Sequence, residues 1–288
     1  MHIRRLVAAD FADAERILNA AFARPGNRRP DLERAVALTP DCWFLAVTDA
    51  KPVGMVGAVI YGQHRAWVGL MAVDPAVQSR GVGRALMRRV LEELDGRGVG
   101  TVLLDASPAG HTLYLSLGFV DEDAAWMCEP AGAGDVSAPP MSAEVGRVQV
   151  AAMTDADLAA VAVVDAAAFG ADRTRLLALL FAEFPGRGLV ARDASGHIVG
   201  YALVQARRIG PWVAVSTEAA EALLRAALQL PFAGSPQIIV PGRNTDGCPL
   251  VQRYGFRQCY ANTHMRRGGS GLASQRDQIF GQASFGFG

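Results

Sequence analysis

Residues 67–94 read Trp67-Val-Gly-Leu-Met-Ala-Val73, Asp74-Pro-Ala-Val77, Gln78-Ser-Arg-Gly-Val-Gly83 and Arg84-Ala-Leu-Met-Arg-Arg-Val-Leu-Glu-Glu-Leu94. The first block is an apolar run suited to a buried strand, and Asp74-Pro75 stops it. In the last block Leu86, Met87, Val90, Leu91 and Leu94 fall on one helical face. The order is strand, glycine loop, helix. At the start of such a helix several backbone N–H groups lack intrahelical partners, and the helix dipole favours an anion there. Gly81 and Gly83 allow close approach of backbone to phosphate, or a φ that other residues avoid. Taken alone, Gln-x-x-Gly-x-Gly has two readings, a pyrophosphate cradle or a glycine-rich turn capping an ordinary helix.

The rest of the chain repeats one plan. Residues 3–22 line up with residues 150–169, matching Leu6 with Met153, Asp10 with Asp157 and Phe22 with Phe169. Each copy reads as a short strand, a turn and an amphipathic helix. Phe44-Leu-Ala-Val47 followed by Asp49 and Gly54 pairs with Leu189-Val-Ala-Arg192 followed by Asp193 and Gly200, and both read as hairpins. Later, Gly110-x-x-Leu113-Tyr114-x-x-Leu117-Gly118-Phe119 returns as Gly247-x-x-Leu250-Val251-x-x-Tyr254-Gly255-Phe256. Between the copies, residues 131–140 are small residues and proline that sustain neither helix nor central strand. The organisation expected is therefore 1–130, a linker at 131–145, and 146–288. The tail after Arg267 ends in an apolar stretch, residues 279–288, that either docks as an edge strand or covers a groove.

Residues 68–85 followed by Leu113-Tyr-Leu-Ser-Leu-Gly-Phe119 closely resemble the GNAT acetyltransferase superfamily, whose pattern is a strand, Gln/Arg-x-x-Gly-x-Gly/Ala, a helix, and a later Tyr and Leu-Gly-Phe. The resemblance covers residues 1 to about 130 in order. It extends less closely into the second half, as in tandem members where an active GNAT domain precedes a diverged one. It implies an α/β fold of two GNAT-like domains, each a twisted, mostly antiparallel sheet with a splayed central strand pair flanked by helices. It implies acetyl-CoA as co-substrate, with the amides of Gly81, Val82, Gly83, Arg84 and Ala85 on the pyrophosphate. Main-chain groups of Met71 and Val73 would align pantetheine and polarise the acetyl carbonyl, Gln78 would shape the loop, and Arg80 and Arg84 would add charge. Tyr114 matches the family tyrosine near the thioester sulfur and is the expected general acid; the alternative is a core tyrosine.

No base is legible. The strand has no Glu or Asp where some family members place one, which leaves a water chain, His64 or His111. Asp105, at the end of an apolar run, could orient an amine or cap the next helix. In the second half, Ile209-Gly-Pro-Trp-Val-Ala-Val215 runs through Ser216-Thr-Glu218 into a helix with no glycine between, and Val251 stands where the first half has Tyr114. That half is expected to bind no cofactor and to serve as a structural partner or a wall of the acceptor pocket.

Lys+Arg and Asp+Glu both number 28, so the chain lacks the basic excess that nucleic-acid binding requires. Its four cysteines show no metal-ligand spacing, and no metal is expected. Charged residues near the start, among them Arg4, Arg5 and Asp10, interrupt any signal-like apolar core, and no later stretch is long enough to span a bilayer. The expectation is a cytoplasmic N-acetyltransferase, monomeric or homodimeric, moving acetyl to a primary amine of a small molecule or an amino-terminal group in a ternary complex. A non-catalytic acyl-CoA sensor or scaffold, or a protein lysine acetyltransferase, are the alternatives.

Overall fold

The computed structural model describes residues 1–23, 26–132, 148–269 and 274–288, so most of the expected linker lies outside the described residues. The first half runs β1 (His2–Arg5), α1 (Phe11–Phe22), α2 (Arg29–Leu38), β2 (Trp43–Thr48), β3 (Lys51–Tyr61), β4 (Arg65–Val73), α3 (Val82–Gly96), β5 (Thr101–Ala106), α4 (Pro108–Leu115) and β6 (Val120–Pro130). The second repeats it as β7 (Gln149–Ala152), α5 (Leu158–Phe169), α6 (Thr174–Glu183), β8 (Gly188–Arg192), β9 (Ile198–Val204), β10 (Ile209–Ala214), α7 (Thr217–Ala227), β11 (Ile238–Pro241), α8 (Gly247–Arg253) and β12 (Phe256–Arg267). A final strand, β13 (Ile279–Gly281), has no counterpart in the first half. Among the described residues no helix is long and apolar enough to cross a membrane.

The repeat is visible in side chains as well as in element order. Asp10 accepts the Val7 N–H at 2.9 Å and pairs with Arg4 at 2.7 Å. Its counterpart Asp157 accepts the Thr154 N–H at 2.8 Å and pairs with Arg192. Each carboxylate thereby satisfies the turn that launches its helix. Both expected hairpins form, β2–β3 and β8–β9, and Asp49 and Ala50 take the left-handed φ of the tight turn in the first.

The halves are joined by their last strands. The eight-stranded sheet has the order β1-β2-β3-β4-β5-β12-β6-β11, so β12 of the second half lies between β5 and β6 of the first. β6 in turn pairs with β11 of the second half. The remaining five-stranded sheet is β13-β10-β9-β8-β7. α3 covers one face of the first half, burying Leu86, Met87, Val90, Leu91 and Leu94, the face read from the sequence. Each such side chain contributes about 1.5–3 kcal/mol when fully buried. On the other face one apolar core runs continuously from α1 and α2 to α5, α6 and Phe287.

That second face holds a buried ion pair within the second half. Arg173 donates to Asp165 at 2.9 and 2.6 Å and to the Gly288 carbonyl at 2.9 Å, and the Tyr201 hydroxyl also donates to Asp165. Both charged side chains are essentially inaccessible. Asp165→Ala would leave the guanidinium buried without its counter-charge, an expected loss of about 3–5 kcal/mol. Denaturant unfolding reads this directly. A loss no larger than that of an exposed ion pair, about 1 kcal/mol, would show that the pair contributes little to stability.

Candidate active site

β4 and β5 are parallel neighbours only at their closed end, where Arg65, Ala66 and Trp67 register with Thr101, Val102 and Leu103. Beyond Trp67 the two strands part. β4 also carries a bulge: Met55 pairs with Ala72 and Gly57 with Gly69, so Leu70 and Met71 together face a single β3 residue. Leu70 sits at φ +51°. A bulge frees a main-chain group from the ladder and re-aims it, and here it does so beside the opening between the strands.

The glycine loop follows β4 directly. Gln78 Nε2 donates to the Val73 carbonyl at 3.1 Å, tying the loop back to the strand end. Gly81 stands before α3 at φ +82° with open space around it, so glycine is needed there for conformation. Gly83 is needed for proximity. A Cβ there would lie 2.9 Å from the Met71 methyl, 3.5 Å from Leu113 Cδ2 and 3.7 Å from Val73 Cγ2. The structure thus brings Met71, Val73, Gly83 and the tyrosine-bearing helix α4 to one place.

The N–H groups of Gly81, Val82, Gly83 and Arg84 take no acceptor among the described residues. Ala85 differs: its N–H donates to the Gly81 carbonyl at 3.0 Å and closes the first turn. Its small side chain, not its amide, is what it can offer a ligand. Arg80 and Arg84 are exposed and enter no ion pair among the described residues. Open amides, a helix N-terminus and two uncommitted guanidiniums form a cradle that suits a pyrophosphate.

Tyr114 follows Leu113 on α4 and is 8 % exposed, its ring edge-on to Phe119 and its hydroxyl within 3.4 Å of where a Gly110 side chain would begin. That hydroxyl takes no hydrogen-bond partner among the described residues. Burial pushes it up to about 12, so it holds its proton throughout the neutral range. His64 lies in the exposed turn at the closed end of β4, away from the opening. His111, on α4, hydrogen-bonds Asp121 at 2.8 Å.

Asp105 is neither a cap nor exposed. It accepts from His264 Nδ1 at 2.8 Å and from Gln282 Nε2 at 2.9 Å, and its side chain is inaccessible. His264 stacks on Trp67 with ring centroids 5.2 Å apart, and burial holds it below the ordinary histidine range. Both partners of Asp105 belong to the second half. No local signal announced them, because the exchange of β12 places His264 and the path of the tail after β13 places Gln282.

In the second half the corresponding opening is filled. β13 pairs with β10 on one side, and on the other Gln282 N–H donates to the Ile239 carbonyl of β11 at 2.9 Å. Only Val215 and Ser216 separate β10 from α7, and the Ser216 hydroxyl accepts the Ala219 N–H at 3.2 Å, so the helix start caps itself. Asp246 approaches it through the Thr217 hydroxyl at 2.7 Å. The tail then crosses to the first half, where Trp67 Nε1 donates to the Phe285 carbonyl (3.0 Å) and the Tyr61 hydroxyl to that of Phe287 (2.7 Å). It both docks as an edge strand and covers a groove.

Comparison with known proteins agrees with this architecture. Residues 11–119 match the Acetyltransferase (GNAT) family and residues 161–281 an Acetyltransferase (GNAT) domain. Serotonin N-acetyltransferase 2, chloroplastic, of Oryza sativa subsp. japonica is 34% identical over 114 residues, 37% of this chain and 57% of that protein. The ribosomal protein bS18-alanine N-acetyltransferase of Escherichia coli is 46% identical over 52 residues, 17% of this chain and 35% of that protein. The matched stretch thus spans little more than half of the first relative and about a third of the second. A crystal structure from Pyrococcus horikoshii, named a candidate acetyltransferase, aligns over 100% of this chain and 95% of its own, with a TM-score of 0.85 and 31% identity. That match runs through both halves, and the chain accordingly belongs to the GNAT acetyltransferase family, with two GNAT domains in tandem.

Proposed function

We propose that the chain is an acetyl-CoA-dependent N-acetyltransferase that acetylates a primary amine of a small molecule or an amino-terminal group by direct transfer in a ternary complex. The first copy, 1–130, carries the chemistry, and the second, 146–288, is its silent structural partner. The observation that supports this reading is the set of open α3 amides beside the bulged end of β4, with α4, the helix that carries Tyr114, reaching Gly83 through Leu113. Bound acetyl-CoA supplies a thioester carbonyl as electrophile. The amides of Gly81, Val82, Gly83 and Arg84 hold the pyrophosphate, with Arg80 and Arg84 adding charge. Main-chain groups of Met71 and Val73 align the pantetheine arm, and the Met71 N–H polarises the carbonyl as negative charge develops on it. Tyr114 hands its proton to the departing sulfur as the C–N bond forms and the C–S bond breaks. Solvent takes the proton released by the amine. Two of the relatives are named for amines of these kinds, serotonin and an alanine of a ribosomal protein.

The test is release of free CoA thiol across a panel of amines and amino-terminal peptides. Turnover with at least one is expected. Intact acetyl-CoA binding with no thiol release from any would replace the enzyme with a sensor.

One chain is expected to bind one acetyl-CoA. The second opening holds β13, its helix start is capped by Ser216, and the adjoining cavity of about 220 Å³ is lined by Asp246 and Asp277, which repel phosphate. Calorimetry gives the stoichiometry. A value near two per chain would overturn the assignment of the second half.

A further inference from the structure

A second cavity, of about 240 Å³, lies at the seam between the halves, at the closed end of the β4–β5 pair. Four arginines line it: Arg65 of β4, Arg266 of β12, Arg243 from the loop after β11, and Arg276 just before β13. Glu122 faces them but is committed, accepting from Arg266 Nε at 2.5 Å. Asp123 accepts from Arg276 Nε at 3.2 Å. Arg243 is exposed and makes no ion pair among the described residues. His264, which also lines the cavity, is matched by Asp105. Two positive charges therefore have no counter-charge, in a chain whose net charge is zero.

The two innermost guanidiniums are also short of acceptors. Arg65 is 4 % and Arg276 7 % exposed. Arg65 donates through Nη1 to the Phe169 carbonyl and lies over the Phe169 ring at 5.7 Å, yet its Nε is buried without a hydrogen-bond partner. The same is true of Arg276 Nη2. Burial and the neighbouring Arg276 push the Arg65 guanidinium down to about 10. A buried charged donor left unpaired is costly, and like charges this close repel, so an arrangement of this kind is stabilised by an anion between the forks.

We propose that this cavity binds a small metabolite bearing a carboxylate or phosphate group, held by Arg65, Arg276 and Arg243. The guanidinium fork matches the paired oxygens of either group. The cavity is smaller than the ~300–1,000 Å³ typical of drug-sized ligands, so the occupant is compact. It is not the cofactor: Arg65 opens β4 and the glycine loop begins past Val73 at its other end, roughly 25 Å away at ~3.3 Å per residue. The site takes residues from both halves, so its ligand also bridges them. This is a task for the second half that does not depend on transfer chemistry.

The experiment titrates the full chain with inorganic phosphate or succinate at constant ionic strength held by chloride, with CoA in excess so that the loop is already filled. One saturable site per chain and a rise in melting temperature are expected with at least one probe. Binding of phosphate alone assigns a phosphorylated ligand, and of succinate alone a carboxylic acid; either supports the site. Arg276→Gln should weaken binding by at least about tenfold, with CoA affinity unchanged. Arg243→Gln, at the surface where folding is not at stake, should weaken it by about threefold or more. No saturable binding beyond the chloride control, or Arg243→Gln binding as tightly as wild type, would overturn the proposal.

Discussion

Tyr114→Phe is expected to lower turnover about a hundredfold while acetyl-CoA affinity changes little, the scale for losing a positioned general acid. The ring's packing against Phe119 and beneath Gly110 survives the substitution. Only the hydroxyl, which bonds nothing else among the described residues, is removed. Binding and chemistry therefore separate. The sign of the pH dependence follows from burial. The hydroxyl is held at about 12, so the acid form persists below that and is lost only as pH rises through it. No decline in rate assignable to Tyr114 should appear between about pH 6 and 10. Val251, its buried counterpart on α8, is the internal control: Val251→Ala should cost stability but spare the turnover of folded protein. Turnover within about twofold of wild type in Tyr114→Phe, with an acceptor that makes chemistry rate-limiting, would leave Tyr114 as a packing residue.

Gly83→Asp is expected to abolish acetyl-CoA binding in a protein that still folds. The new Cβ meets the flexible end of Met71 and not backbone, and Gly83 lies in helical conformation, so the fold can absorb it. The carboxylate adds a negative charge in the first turn of α3, where the pyrophosphate is proposed to bind. Like charges about 4 Å apart near a protein surface repel by about 4 kcal/mol, on the order of a thousandfold in affinity. Gly83→Ala separates space from charge: with only the Met71 methyl to displace, it should weaken binding by no more than about tenfold. Calorimetry beside thermal melting reads both. A folded Gly83→Asp with wild-type affinity would place the cofactor elsewhere.

Much of the candidate site was legible because it is local. The strand 67–73, the glycine loop and the α3 face are contiguous, so a single window shows the switch from apolar run to glycine turn to helical period. Within the loop the sequence could not tell why each glycine is there. The structure separates them, Gly81 by its φ and Gly83 by its distance to Met71. The repeat also read correctly, down to Asp10 and Asp157. Matched positions need not share an environment: Phe22 is 45 % exposed and Phe169 3 %. The second sits at the seam and the first does not.

The sequence by itself determined the strand, loop and helix of residues 67–94, the duplication and the loss of the loop in the second copy, and, through the resemblance these motifs carry, the family. All of these are written in short-range spacing and in residue types with strong backbone or charge preferences. Only the tertiary structure decided that β12 lies between β5 and β6, that Asp105 meets His264 and Gln282, and that β13 closes the second opening. It alone gathered Arg65, Arg243, Arg266 and Arg276 around one cavity. The reason is physical. Strand exchange satisfies the same main-chain hydrogen bonds as pairing within each copy, so local pattern does not distinguish them. The exchange also carries β12 side chains into the cores of both halves, Met265 into that of the first and Phe256 into that of the second, a property of the assembled chain.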